Sequence, residues 1–287
     1  MALMELRGVT HVYSRGTPFE KIALKNIHLT VEKGEFLGLI GHTGSGKSTL
    51  VQHMNALLRP DEGTVLLEGK DIFASKTAMR AARARVGLVF QYPEHQLFEE
   101  TLRADIAFGP KNMGLRGAEL ERRVAEAAAF CGLEERLLDR SPLELSGGQK
   151  RRAAIAGILA MRPELLILDA PGAGLDPRGR ETILRRIDDW RRATGAAVVL
   201  VTHDMSAAAS LCSRLAVLRD GELFLQGPPR EIFARTAELE TMGLGLPPAA
   251  RIAERLRADG VALPAGLYTP EDLAEALLRL RKEGSPC

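Results

Sequence analysis

A nine-residue stretch, GHTGSGKST (residues 41–49), has the residue types and spacing of a phosphate-binding loop. It fits G-x-x-x-x-G-K-[ST], and it lies between a predicted strand and a predicted helix. Its glycines let the backbone fold closely, so that N–H groups can face phosphate oxygens at the positive end of the helix. The lysine then reaches the β- and γ-phosphates, and the serine ligates Mg²⁺. The predicted nucleotide-binding residues are Gly41, His42, Thr43, Gly44, Ser45, Gly46, Lys47, Ser48 and Thr49.

A second stretch, LLILD (165–169), predicts the metal side of the same site. Its apolar run is typical of a buried strand, which places Asp169 at the carboxyl end. A carboxylate there holds Mg²⁺, directly or through water, beside the phosphate loop. An aspartate at a strand end is unremarkable alone, so the prediction rests on its pairing with the loop.

The surrounding pattern indicates the elements that position these residues. Residues 1–40 alternate apolar and polar positions, which predicts several short, mostly antiparallel strands. Residues 101–160 show helical spacing. The continuous apolar runs at 165–169 and 196–201 indicate parallel strands covered on both faces. Residues 214–227 read as a hairpin, turning at an Asp-Gly pair. An α/β fold built on a parallel sheet follows.

Composition narrows the class further. The chain has 287 residues, is 45% hydrophobic and 26% charged, and carries a formal net charge of +2. Charge alone therefore favours neither a nucleic acid nor an acidic membrane as partner. Cys131, Cys212 and Cys287 form no CxxC pair and are expected to be reduced thiols. No apolar run approaches bilayer length and no secretion signal is expected, so any membrane role must come through a partner.

A composition change near residues 242–251 predicts a linker rich in Gly and Pro. Two amphipathic helices are expected after it, the second starting at Thr269 and Pro270. We therefore expect a main domain over residues 1–242 and a small helical extension over 243–287.

Three further stretches complete an ordered set with the two above. LELSGGQKRR (143–152) follows the phosphate loop, GLDP (174–177) follows Asp169, and VTHD (201–204) comes next. Over roughly residues 3–230 the sequence resembles the ATP-binding cassette ATPases. The resemblance implies a core with an N-terminal antiparallel β-subdomain and a helical subdomain at about 92–160. It also implies a head-to-tail pair of cassettes with ATP and Mg²⁺ between them.

The resemblance assigns roles residue by residue. In the pair, a helix opened by the LSGGQ stretch faces the γ-phosphate held by the other subunit, which adds Ser146, Gly147, Gly148 and Gln149 to the nucleotide-binding set. Tyr13 resembles the aromatic residue that stacks on adenine, although a lone tyrosine in a strand is often only packing. Three matched residues have predicted catalytic roles. Gln91 senses the γ-phosphate or its water and is a further metal ligand, Asp176 crosses the dimer interface, and His203 contacts the γ-phosphate.

The chain departs from that family at two positions. Ala170 stands where the family normally has the glutamate that polarises the attacking water, and Gly172 stands where threonine is common. Loss of a positioned general base costs ~10²–10⁴ in rate. We expect a site that binds ATP with strongly reduced turnover. Either the cassette pair is naturally asymmetric, or the glutamate was deliberately changed to trap the ATP state.

The stretch FQYPEHQLFEETLRADIAFGPKNMGL (90–115) and the tail at 243–282 are more specific. They resemble one of the two paralogous ATPases of energy-coupling factor transporters, which take up vitamins and transition-metal ions, and their cobalt and nickel relatives. This implies three partners: a second cassette ATPase (a paralogue or a second copy), a transmembrane coupling subunit and a substrate-binding membrane subunit. It also implies a peripheral location on the cytoplasmic face of the cell membrane, and a tail that helps to hold two ATPases together.

Two other classes stay open on the sequence. A cassette ATPase acting on DNA or ribosomes is disfavoured, because no long coiled-coil insertion lies between residues 49 and 165 and the chain holds one cassette. The near-neutral net charge also gives no indication of the basic surface that a nucleic acid would need. A nucleotide-gated regulatory subunit that binds ATP without hydrolysing it is supported only by Ala170.

Overall fold

The computed structural model describes residues 1–283, which form two β-sheets and eleven α-helices. Cys287 lies outside the described residues. Cys131 and Cys212 are buried free thiols, as expected. Burial raises the pKa of the Cys131 thiol to about 12, which makes it unreactive.

The first sheet is antiparallel and consists of β1 (Ala2–Tyr13), β2 (Lys21–Glu32), β4 (Glu62–Leu67) and β5 (Lys70–Asp71), in the order β2-β1-β4-β5. Its first two strands span twelve residues each, whereas several short strands were predicted; shifts in register where β1 meets β2 interrupt the simple alternation. Alternate side chains of these strands, such as Leu6 and Leu29, are buried in a hydrophobic core that this sheet shares with the second sheet of the protein.

The second sheet has the order β10-β9-β3-β8-β7-β6, parallel except for its terminal hairpin. Every residue of β3, β6, β7 and β8 is buried, which explains their unbroken apolar runs. Because parallel strands end at one edge, the segments after β3, β7 and β8 meet there. The strands are β3 (Phe36–Gly41), β6 (Val86–Val89), β7 (Leu165–Asp169), β8 (Ala197–Val201), β9 (Arg214–Arg219) and β10 (Glu222–Gly227).

The helices cover the parallel sheet and form a separate helical region between β6 and β7. In that region α4 buries Leu120, Val124, Ala127 and Ala128 at helical spacing. The bounds are α1 (Lys47–Met54), α2 (Lys76–Arg85), α3 (Leu102–Asn112), α4 (Gly117–Phe130), α5 (Gly147–Leu159), α6 (Pro177–Thr194), α7 (Met205–Leu211), α8 (Pro229–Phe233), α9 (Thr236–Thr241), α10 (Pro248–Ala258) and α11 (Pro270–Glu283).

The C-terminal region differs from the predicted linker. Leu244 and Leu246 are buried in the main core, because the Gly and Pro residues let short turns carry apolar side chains inward. Helices α10 and α11 form a small core of their own, and Thr269 accepts a hydrogen bond from the Asp272 N–H as the predicted helix cap. The boundary at residue 242 stays a prediction. Over residues 1–283, none of the helices combines the length and apolar character needed to cross a membrane.

Candidate nucleotide-binding site

The phosphate loop joins β3 to α1, and two of its glycines are needed for close packing. A β-carbon at Gly41 would lie 2.3 Å from the Leu218 carbonyl oxygen, and one at Gly46 would lie 2.5 Å from the Ala23 carbonyl oxygen. Gly44 has a φ of +83° and open space around it. Only glycine fits all three positions, which leaves the loop backbone accessible at Gly44.

Lys47 holds the loop together from inside. Its Nζ donates to the Gly41 carbonyl at 2.8 Å and to the His42 carbonyl at 2.7 Å. Burial lowers its pKa, and the nearby Asp169 carboxylate opposes that change. A buried ammonium with these partners is a strong attractor for a phosphate group.

Asp169 ends β7 next to α1, with the Ser48 side chain close to its carboxylate. Burial raises the pKa of the Asp169 carboxyl, while Ser48 and Lys47 favour its charged form. His203 follows β8 and interacts with both Lys47 and Asp169; burial, then Lys47, lowers its pKa, which keeps the imidazole neutral at pH 7. The two oxygen donors fit Mg²⁺, which prefers hard oxygen ligands.

Tyr13 lies beside the loop at the end of β1. It lines a cavity of about 180 Å³ with Gly44, Lys47 and Thr49, and its hydroxyl is 3.3 Å from Thr49 Oγ1. Its ring is 39% exposed, so a flat base has access to it. Behind it His53, fully buried, donates from Nδ1 to the Thr49 carbonyl at 2.7 Å.

Gln91, Ala170 and His203 line one cleft of about 230 Å³ at the carboxyl edge of the sheet. Ala170 has a φ of +48°, an unusual left-handed conformation for a residue other than glycine, and its N–H donates to the Val201 carbonyl at 3.0 Å. Its side chain has neither a proton acceptor nor a water-binding atom. The cleft thus contains Gln91 and His203 but no carboxylate at position 170.

Arg180 is a cleft residue that the sequence did not indicate. A β-carbon at Gly172 would lie 2.5 Å from Arg180 Cγ, so the glycine lets this side chain cross the loop. Its guanidinium donates to Asp204 at 3.0 Å, next to His203. The only signal was that Arg180 lies one helical turn after Asp176.

The LSGGQ stretch occupies the start of α5. Ser146 accepts from the Gln149 N–H at 3.3 Å, and the Gln149 side chain accepts from the Ser146 N–H at 2.9 Å, which is a complete capping box. Gly147 and Gly148 have open space around them. Asp176 is an exposed residue at the start of α6 whose side chain makes no capping bond. Ser146, Gly147, Gly148, Gln149 and Asp176 line neither cleft described above.

Comparisons with known proteins agree with this architecture. The ABC transporter family model matches residues 24–173. The energy-coupling factor transporter ATP-binding protein EcfA2 of Symbiobacterium thermophilum is 53% identical, covering 94% of this chain and 93% of that protein. EcfA2 of Caldanaerobacter subterraneus subsp. tengcongensis is 47% identical over 96% of each chain.

Two solved structures are also similar. CbiO1 from Clostridium perfringens, described as part of the ABC transporter complex cbiONQ, is 36% identical with a TM-score of 0.75, over 89% of this chain and 99% of that chain. The ATP-binding cassette MJ0796, in a dimeric post-hydrolysis state with ADP and Pi, is 32% identical with a TM-score of 0.71, over 79% and 99%.

Fold and site together define an ATP-binding cassette: a phosphate loop, a buried aspartate at the end of a nearby strand of the same sheet, and a separate helix opened by LSGGQ. The chain belongs to the ABC transporter family, in its group of energy-coupling factor ATP-binding proteins. Cassettes of this family bind ATP with Mg²⁺.

Proposed function

We propose that this chain is the ATP-binding and ATP-hydrolysing subunit of an importer of the energy-coupling factor type, for vitamins or transition-metal ions. It works as one half of a cassette pair on the cytoplasmic face of the membrane. The observation that carries this proposal is the continuity between its nucleotide cleft and an exposed apolar groove. The segment 91–98 joins the two, with Gln91 in the cleft and Phe98 in the groove.

The residues around the phosphate loop and those of the cleft that contains Gln91 and His203 have separate roles in binding ATP. Tyr13 stacks on adenine, Lys47 and the loop N–H groups bind the phosphates, and neutral His203 donates a hydrogen bond to the γ-phosphate. Ser48, Asp169 and Gln91 hold Mg²⁺, which neutralises phosphate charge. Burial of Lys47 and Asp169 strengthens these electrostatic interactions.

Hydrolysis at this chain's own phosphate loop is strongly reduced, because Ala170 cannot orient or deprotonate water. Lys47, Asp169 and His203 surround the predicted phosphate position, which supports binding of ATP without its hydrolysis. The other site of the pair uses this chain's Ser146–Gln149 stretch with the partner's phosphate loop and carboxylate. Ala170 fits a naturally asymmetric pair and a deliberate substitution equally well.

The groove is the docking surface for the transmembrane coupling subunit. Its volume is about 790 Å³, and Phe98, Phe108 and Met113 expose 65%, 43% and 40% of their surface there. The two phenylalanine rings pack edge to face, 4.9 Å apart. An exposed aromatic patch of this kind favours a short apolar helix as the partner element. That subunit in turn moves a substrate-binding membrane protein.

The second cassette is a paralogue or a second copy of this chain, and no nucleic acid is involved. The exposed Asp176 crosses the interface, and the extension at 243–287 holds the two ATPases together. Exposed Ile252 and Leu278 on its helices support that role. A second function, a regulatory subunit that binds ATP without hydrolysis, is favoured only by Ala170.

The docking proposal is tested by co-purification with the membrane partners from detergent-solubilised membranes. Phe98→Ala with Phe108→Ala should reduce recovery of the membrane subunits at least fivefold, while ATP affinity stays unchanged. Phe19→Ala removes a phenylalanine outside the groove that is more exposed (84%) than either groove residue, and it should have no effect. Full recovery with the groove variant would contradict the proposal.

A further inference from the structure

Arg151 is an almost completely buried arginine, 3% exposed, two residues after the LSGGQ stretch on α5. Its Nε and Nη2 donate to the two carboxylate oxygens of Glu94 at 3.0 and 2.6 Å. Its Nη1 donates to the Ala173 carbonyl at 2.6 Å. One guanidinium therefore ties α5 to the 91–98 segment and to the loop that contains Ala170 and Asp176.

The geometry of this link is restrictive. A planar guanidinium matches a carboxylate through two parallel hydrogen bonds, and an ammonium cannot reproduce that fork. A buried ion pair of this kind contributes little net stability compared with apolar packing, so its presence favours a role in fixing relative positions. The far end of the 91–98 segment is also held, since the Phe98 and Glu99 N–H groups donate to Asp105 at 3.2 and 3.1 Å.

Each element that Arg151 joins has a separate task in the proposed function. The start of α5 faces the nucleotide of the partner's phosphate loop. The 91–98 segment runs from the cleft to the membrane-facing groove, and Ala153, Ala154 and Gly157 of α5 line the same groove. The loop with Asp176 crosses the dimer interface. A displacement of α5 thus moves the residues of α5 that line the groove, and the Arg151–Glu94 pair passes the same displacement to the 91–98 segment.

We propose that Arg151 is a positioning residue that transmits the nucleotide state at the start of α5 to the 91–98 segment and hence to the membrane subunit. This inference rests on the proposed function. It explains how a chain with an impaired site of its own still communicates the turnover of the other site. Arg151 itself touches neither nucleotide nor membrane partner.

The test measures steady-state ATP turnover of the cassette pair alone and assembled with the membrane subunits. The variants are Arg151→Lys, which keeps the charge and loses the fork, and Glu94→Gln, which keeps the shape and one acceptor. Both should reduce kcat of the assembled complex about tenfold and abolish its response to assembly, with KM for ATP changed less than twofold. Glu94→Gln keeps the inference testable if Arg151→Lys fails to fold.

Arg123→Lys is the matched control. Arg123 is a half-buried arginine of the same helical region that donates to Glu119 at 2.9 Å and to the Met161 carbonyl, without contact to the 91–98 segment. It should behave like the unaltered chain. An Arg151→Lys complex that retains kcat and its response to assembly, or in which kcat and KM change by the same factor, would overturn the inference. If the unaltered pair does not respond to the membrane subunits at all, the proposed function itself fails.

Discussion

In the proposed cassette pair, the phosphate-loop region and the LSGGQ region of this chain serve two different nucleotide sites, and the two regions differ in how they are built. The first is buried and charged, with Lys47 and Asp169 embedded where α1 meets the strand ends. The second is an open helix start, where a β-carbon added at Gly147 or Gly148 would meet no other part of the described chain within 4 Å. The first region forms a pocket within this chain, whereas the second, in the proposed pair, is completed by the partner cassette.

This difference indicates which of the two nucleotide sites the two departures from the family sequence can affect. Ala170 and Gly172 both lie in the buried region, and the LSGGQ region keeps its full motif and its capping box. In the proposed pair, loss of a general base therefore affects one site and leaves this chain's contribution to the other site intact. We expect ATP binding and ATP hydrolysis to be separable in this chain for that reason.

Among the substitutions that weaken one of the two regions, the largest effect is expected for Lys47→Ala. Loss of a buried charge opposite phosphates costs about 2–5 kcal/mol, so Kd for ATP of the purified chain should rise on the order of 100-fold. Isothermal calorimetry measures this change. Lys33→Ala removes an exposed lysine paired with Glu68 and is the control. A change in Kd below about threefold for Lys47→Ala would contradict the assignment of residues 41–49 as the ATP-binding loop.

Gly148→Asp probes the other region. The added carboxylate has room, and it places a like charge opposite the partner's γ-phosphate at a cost of about 1–3 kcal/mol. Turnover at the partner's phosphate loop, measured in the assembled complex, should fall roughly 10- to 100-fold, while ATP binding to the purified chain stays unchanged. Gly148→Asn has the same size without charge and should have a much smaller effect. Weakened ATP binding by the purified Gly148→Asp chain would show that the two regions are not separable.

The sequence predicted much of this site because its motifs are local. Residues 41–49 were predicted from spacing alone, since a strand followed by a Gly-rich turn and a helix is specified by adjacent residues, whereas Asp169 was predicted from its pairing with that loop. The Asp220-Gly221 hairpin is confirmed for the same reason, with φ values of +50° and +81°.

Contacts between distant segments could not be predicted in this way. Arg151 meets Glu94 across 57 positions and Arg180 meets Asp204 across 24, and neither pair leaves a periodic signal. The burial of Leu244 and Leu246 could not be predicted for a different reason. Gly and Pro dominate the local composition of residues 242–251, which therefore resembles a linker.

The smallest expected effect is on the pH dependence of the free energy of unfolding. It concerns only the phosphate-loop region, because residues 146–149 carry no titratable side chain. Burial lowers the pKa of His53 behind the phosphate loop, so the unfolded chain binds a proton first as the pH falls below about 6.5. The free energy of unfolding should therefore fall there, by at most about 1.4 kcal/mol per pH unit. Thermal melts between pH 5 and 8 should show a flatter profile for His53→Gln, with exposed His28→Gln as control. An unchanged profile for His53→Gln would show that this histidine does not contribute to the pH dependence.

The central claim is that position 170 alone separates binding from hydrolysis at this chain's site. The direct measurement is ATP turnover by the purified chain, in which every phosphate-loop site contains position 170, for Ala170, Ala170→Glu and Ala170→Gln. Ala170 already carries a β-carbon at its positive φ, so the longer side chains add no new backbone strain. We predict a rise on the order of 10²–10⁴ for glutamate and none for glutamine, with ATP affinity preserved. Equal turnover for alanine and glutamate, or an equal rise with glutamine, would contradict the account.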